Sequence, residues 1–122
     1  MKKKIVPLVP GARWEVYALD AGQWRSGMYL PEFMSGDEVD VLERHSCPEL
    51  FICVGGRMGL VTWDGARETR IEFNPHDSLM VEDYHNGFRI DEGGFFIVVE
   101  RTSFVTEYID RRSRKFLRQV SV

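Results

Sequence analysis

The residues of this chain best suited to chemistry lie together, between Val39 and Val54. The stretch reads Val-Asp-Val-Leu-Glu-Arg-His-Ser-Cys-Pro-Glu-Leu-Phe-Ile-Cys-Val. Side chains alternate across a strand, so Val39, Val41, Glu43, His45, Cys47, Glu49, Phe51 and Cys53 share one face. The other face carries Asp40, Leu42, Arg44, Leu50, Ile52 and Val54, and Pro48 is the point at which the alternation can break. Two carboxylates, an imidazole and a thiol among apolar residues are costly to bury, because ionised groups taken from water need a partner or a cation. An imidazole nitrogen beside carboxylate oxygens suits a divalent transition metal. Without a metal, His45 and Glu49 suit general acid and base work, since an imidazole titrates near neutrality. Cys47 and Cys53 would sit roughly 20 Å apart in one extended strand, far beyond disulfide reach, and read as free thiols buried as small hydrophobes.

The elements that must hold this face are short strands. Residues 13–18 alternate apolar and polar, and Trp24 to Leu30 is a second strand candidate. Arg57 to Trp63, the turn Asp64-Gly65, and Glu68 to Phe73 read as a hairpin. Phe88 and Ile90 alternate with Arg89 and Asp91, and Phe95 to Val99 is a continuous apolar run fit for a strand covered on both faces. Asn86-Gly87 is a turn signal, and His76 falls in a proline-containing turn that exposes it. Residues 106–119, with Tyr108, Ile109, Arg112, Phe116 and Leu117 at helical spacing, predict a short C-terminal helix. Many short strands with tight turns predict an all-β sandwich, jelly roll or small barrel.

The chain has 122 residues, of which 43% are hydrophobic and 29% charged. That predicts one domain over 1–122, with its core at about 13–104. No run approaches the ~18 apolar residues of a membrane helix. The start, Met1-Lys2-Lys3-Lys4, is basic like a signal peptide, but Pro7, Pro10 and Arg13 break up the residues after it before an apolar stretch can form, so a soluble cytoplasmic protein is expected. The formal net charge is −3, and all nineteen acidic residues lie between Glu15 and Asp110. Such an acidic body argues against a nucleic-acid partner. The basic tail, with Arg111, Arg112, Arg114, Lys115 and Arg118, reads as a solvated face or a clasp against that body. Exposed sheet edges predict a homodimer, with Ile5 to Val9 as a segment that could pair with a partner.

His45-Ser-Cys-Pro-Glu49, followed by Leu50-Phe51-Ile52-Cys53-Val54-Gly55-Gly56, resembles the first motif of the cupin superfamily: His-x-His, three or four residues, Glu, then an apolar strand ending at a turn glycine. Asn74-Pro75-His76-Asp77 through His85 is similar to the second motif, and the resemblance covers about residues 36–102. It implies a double-stranded β-helix, the cupin jelly-roll barrel. His45 matches the family's second histidine, Glu49 its glutamate and His85 its last histidine, while Glu43 stands at the first histidine. The resemblance thus implies a site of Glu43, His45, Glu49 and His85 holding Mn, Fe, Ni or Zn at the barrel mouth. Tyr84, beside His85, is a candidate proton donor to a substrate oxygen. The run Phe88 to Val99, closing in Thr106 to Asp110, is also similar to the end of the sugar-nucleotide ketoisomerases, dimeric cupins that abstract a proton without metal.

Two function classes fit these residues. One is an enzyme acting as isomerase, lyase or dioxygenase on a small polar or sugar-like substrate, with His45, Glu49 and Tyr84 as catalytic candidates. The other is a barrel that only binds a small ligand. The metal-independent ketoisomerase reading is a variant of the first.

Overall fold

Buried and half-buried side chains alternate without a break from Glu49 to Val54, and the fold is built around that strand. The computed structural model describes residues 4–122, so Met1 to Lys3, part of the basic start, lie outside the described residues. Eleven strands are formed among them: β1 (Trp14–Asp20), β2 (Trp24–Tyr29), β3 (Val41–His45), β4 (Glu49–Val54), β5 (Met58–Trp63), β6 (Glu68–Phe73), β7 (Ser78–Val81), β8 (Tyr84–Arg89), β9 (Phe95–Arg101), β10 (Val105–Asp110) and β11 (Phe116–Ser121). They make two antiparallel sheets, β1-β2-β9-β4-β7 and β11-β10-β3-β8-β5-β6. The inward residues of β4, β5, β6, β7 and β9 fill one end of the space between the sheets. Phe51, Cys53, Met58, Leu60, Phe73, Val81, Phe96 and Val98 form that core, with Phe96 edge-on to both Phe51 and Phe73 at 5.1 Å.

The outer face of the six-stranded sheet is covered as well. Val39, Leu42, Val61, Phe88 and Ile109 form a second cluster beneath the segment that joins β2 to β3, which contains a single 3-10 turn at Gly36–Glu38. Arg111, 8% exposed, ties that segment down. It donates to the carbonyls of Gly36 and of Val39, the latter at 2.8 Å, and forks onto both oxygens of Glu68 at 3.0 and 3.1 Å. Arg114 reaches Glu68 at 3.3 Å. Two residues of the basic tail therefore do clasp the acidic body.

The predicted C-terminal helix over residues 106–119 is not formed. The segment is a hairpin, β10 and β11, whose turn is closed by Asp110 Oδ2 accepting the amides of Arg112 and Ser113. The helical spacing of Tyr108, Ile109 and Phe116 is outweighed by an open edge: β10 pairs with β3 along five residues, Thr106 against His45 through Asp110 against Val41. Strand preference is set by such a partner more than by local propensity. Asn86-Gly87 is likewise no turn but the middle of β8. Asn86 Nδ2 donates to Val41 O at 2.9 Å, and Gly87 is required because a Cβ there would lie 2.9 Å from the Tyr29 ring. The Asp64-Gly65 hairpin forms as expected, with Asp64 Oδ1 accepting the amides of Ala66 and Arg67.

Replacing Arg111 by Leu leaves two carbonyls and Glu68 without their donor, and is expected to destabilise the fold by roughly 3 kcal/mol. Arg112→Leu, at an exposed position, is expected to stay within about 0.5 kcal/mol of wild type. Urea unfolding of both variants checks this, and equal midpoints would show that the clasp contributes nothing.

Candidate functional site

At the end of the barrel away from the aromatic core, the two sheets leave a cavity of about 490 Å³. Strand parity explains what lines it. Glu43 and His45 of β3 and Glu49 of β4 keep the same inward face across Ser46-Cys47-Pro48, so the kink at the proline does not break the alternation. His85 is not on the lining itself; it arrives from β8 just beneath it, where it pairs across the sheet with Glu43, and β8 gives the lining Asn86.

The four side chains converge. His45 Nε2 lies 3.0 Å from Glu49 Oε1 and 3.6 Å from Glu43 Oε1, while His85 Nε2 lies 3.0 Å from Glu49 Oε1 and 4.0 Å from Glu43 Oε1. The far side of each ring is engaged. His45 Nδ1 is 2.6 Å from Thr106 Oγ1, and His85 Nδ1 is 2.8 Å from the carbonyl of Asp83. A carbonyl only accepts, so His85 Nδ1 carries the hydrogen, and a neutral ring then turns the lone pair of Nε2 inward. Glu49 Oε1 and His85 Nε2 are close but poorly aligned for a hydrogen bond, and both are buried without a partner. A nitrogen lone pair and a carboxylate oxygen aimed at common space, with hydrogen bonds from behind fixing the rings, fit a divalent cation.

Charge around the cluster is strongly coupled. Burial opposes protonation of His45, yet the carboxylates of Glu43 and Glu49 outweigh it and push the imidazolium up to about 10. Burial likewise opposes charge on His85, and Glu49 again wins and raises it. Burial alone would raise Glu49, but the two histidines hold it below the usual carboxylate range. Burial raises the Tyr29 hydroxyl far above its ordinary value, so it acts as a neutral donor, to Asn86 Oδ1 at 2.9 Å.

Tyr84 is not brought to this cavity. It neighbours His85 on β8 and therefore points to the opposite face, where its hydroxyl donates to Glu107 at 2.7 Å and its ring meets Trp63. His76 sits exposed in its turn with φ 79°, apart from the cluster. Cys47 is buried off the cavity lining, and burial raises the Cys53 thiol to about 11, which leaves it inert. Sequence reasoning missed Glu100. It is 6% exposed, offers a carboxylate oxygen within 4.8 Å of donor atoms of His45 and Glu49, and is gripped by Arg25. The signal was available, because extending the alternation of Phe96 and Val98 by two residues reaches it. Arg25, Tyr108 and Arg118 were also missed at the cavity wall, the last two because their strands were read as a helix.

No family model and no curated protein matches this chain. Solved structures do. Fe(II)-HppE with the alternative substrate (S)-1-HPP aligns at TM-score 0.55 with 13% identity, over 78% of this chain and 55% of that one. A Cupin 2 conserved barrel domain protein from Salinispora arenicola aligns at 0.52 with 16% identity, over 80% and 87%. Hydroxypropylphosphonic acid epoxidase from S. wedmorenis in complex with fosfomycin aligns at 0.50 with 12% identity, over 64% of this chain and 42% of the epoxidase. The chain thus spans about half the length of these two enzyme structures or less. The chain shares the fold of that Cupin 2 barrel domain protein, and its two antiparallel sheets are consistent with the jelly roll expected from the motif.

The coupled charges give a signed pH dependence for metal-free protein. His45 has a folded pKa near 10 against an ordinary 6.5, so its ion pairs stabilise fully below 6.5 and fade as pH rises toward 10. Glu49 is depressed from an ordinary 4.5, so its contribution is complete above 4.5 and is lost as pH falls below it. Thermal unfolding in excess chelator is expected to give its highest midpoint between pH 4.5 and 6.5, with a fall on either side. A midpoint that keeps rising from about pH 6.5 to about pH 9 would contradict the ion pairing.

Proposed function

We propose that this chain is a small metalloenzyme of cupin fold, holding one divalent transition metal through Glu43, His45, Glu49 and His85 and acting on a small polar substrate in the cavity above it. The observation that carries the reading is the approach of two imidazole Nε2 atoms to one buried Glu49 oxygen at 3.0 Å, with hydrogen bonds to neither. Manganese, iron, nickel and zinc all accept this nitrogen and oxygen set. Fe(II) in HppE, which shares the fold, supports a divalent ion in such a barrel. When bound, the ion would supply Lewis acidity and open coordination positions, suited to isomerisation, elimination or oxygen insertion.

The chain's own residues would do the rest. Thr106 and the Asp83 carbonyl orient the rings of His45 and His85. Phe51 packs edge-on to His85 at 5.4 Å and Phe104 edge-on to His45 at 4.9 Å, and together they exclude water from the floor. Glu100 is raised by burial and by Glu49, against the pull of Arg25, so it is the carboxyl placed to hold or take a proton from a bound molecule. Tyr84 has no part in this reading.

Elemental analysis of untagged protein is expected to return near-stoichiometric divalent metal, and His45→Ala and Glu49→Ala should each reduce it about tenfold or more while β-sheet circular dichroism is kept. Tyr84→Phe should leave it unchanged. Metal retained in both alanine variants would place the ion elsewhere, and a metal-free wild type after soaking would leave a barrel that binds or isomerises without one.

We further propose a homodimer. Residues 4–13 form no strand with the rest of the described chain, and Ile5 and Val9 are 94% and 73% exposed, which a second copy would cover. Sedimentation should give a dimer, reduced to monomer on deletion of residues 1–9. A concentration-independent monomer at full length would overturn it.

A further inference from the structure

Two arginines reach the cavity from opposite sheets, and the protein's carboxylates do not exhaust either. Arg25, on β2, gives Nε and Nη2 to a single oxygen of Glu100, both at 2.7 Å. Its guanidinium lies 5.6 Å from the Trp14 ring centroid and 5.2 Å from that of Phe104. Gly27 makes room for this arrangement, since a Cβ at residue 27 would overlap the Trp14 indole. Arg25 is therefore fixed on two aromatic faces and by one carboxylate, while its Nη1 bonds to none of the described residues. Arg118, on β11, lies 4.1 Å over the Tyr108 ring, and it makes no ion pair with any described carboxylate, unlike Arg13, Arg25, Arg57, Arg70, Arg111 and Arg114.

We propose that the molecule taken by this site carries an oxyanion head group, a carboxylate or a phosphonate, held by Arg118 and the free edge of Arg25. This rests on the metal-site reading, which fixes where the rest of the molecule faces. The chemistry is set by charge. Two carboxylates beside two neutral imidazoles would cancel a divalent ion, so Glu43 and Glu49 no longer repel an approaching anion once the ion is in place. Of the guanidiniums that line the cavity, Arg13 is paired with Glu32 and Arg25 with Glu100, so Arg118 is the one without a carboxylate partner, and Arg25 adds only its unbonded Nη1 edge. Arginine's planar fork matches the paired oxygens of both head groups. Stacking on Trp14, Phe104 and Tyr108 has already removed much of the rotamer freedom that binding would otherwise cost.

Zinc-loaded protein titrated with methylphosphonate and, separately, with acetate, followed by amide shifts in NMR with glycerol as the neutral control, tests this. Binding of at least one acid is expected, with the shifts centred on Arg25, Thr106 and Tyr108, and the tighter acid identifies the head group. Arg118→Gln, at an exposed position that leaves the fold intact, should weaken that acid about tenfold with zinc content unchanged. Arg25→Lys should weaken it too, because the fork is lost while the charge on Glu100 remains paired. If zinc stays bound but neither acid binds, or both bind equally to wild type and Arg118→Gln, the anion anchor is wrong and the metal reading stands. If zinc does not bind, the metal reading falls, and the titration runs on metal-free protein. There, weakening by Arg118→Gln upholds the anchor and its absence overturns it.

Discussion

A carboxylate buried between two imidazoles is the constraint on which the rest of the site depends. Glu49 is 4% exposed, at the first position of a strand whose next inward residues are Phe51 and Cys53. An isolated ionised carboxylate at such a depth would be prohibitively costly, and would take up a proton instead. It stays charged only because His45 and His85 stand 3.0 Å away and supply positive charge, either as protons on the rings or as a cation shared among them. The rings are in turn fixed from behind by Thr106 and Asp83, which commits β10 and the β7–β8 connection to their places. That one charge therefore disciplines strands drawn from both sheets.

The barrel has two ends with opposite chemistry, and Tyr29, Phe51 and Val98 stand at the boundary between them. His85 meets Phe51 edge-on at 5.4 Å, with the aromatic core below and the cavity above. Below, close packing resists any change of volume. Above, space is kept open by polar groups that hold one another rather than by voids in an apolar core. Glu100 is bonded to Arg25, Arg25 is stacked on Phe104, and Phe104 packs on His45, so a continuous path leads from the cation wall back to the cluster. A cavity wall of this kind stays open in water and keeps its side chains in few rotamers, as small-molecule sites require.

How much of this could be read from the residues depended on whether a signal was local. The shared face of Glu43, His45 and Glu49 was legible because a period of two survives the kink at Pro48. The Asp64-Gly65 hairpin was legible because its turn chemistry lies within a few residues. His85 was reached only through motif resemblance, since Asn86-Gly87 beside it signals a turn and only the packing of Tyr29 against Gly87 explains a glycine in mid-strand. The tail failed for the same reason in reverse. Its helical spacing is real, but β3 offers an unpaired edge 61 residues away in sequence, between His45 and Thr106, and no local pattern reports that. Tyr84 shows the cost of reading adjacency as proximity, because neighbours on a strand face opposite ways.

On the proposed reading, Glu43 standing where the resembled motif has a histidine would change more than a ligand. Three imidazoles and one carboxylate around a divalent ion leave one positive charge, whereas two of each leave none. A neutral centre is a weaker Lewis acid toward a bound oxygen and attracts an anionic molecule less at long range. A site that gives up that charge must recover the attraction elsewhere if its molecule is acidic. On that reading the guanidiniums of Arg25 and Arg118 would do so, one on each sheet, outside the cluster but lining the same cavity. Moving the positive charge from the ion to the wall also separates two tasks that a charged centre would combine. On the proposed reading the wall would orient the molecule while the cluster acts on it, and each could be altered by substitution without emptying the other.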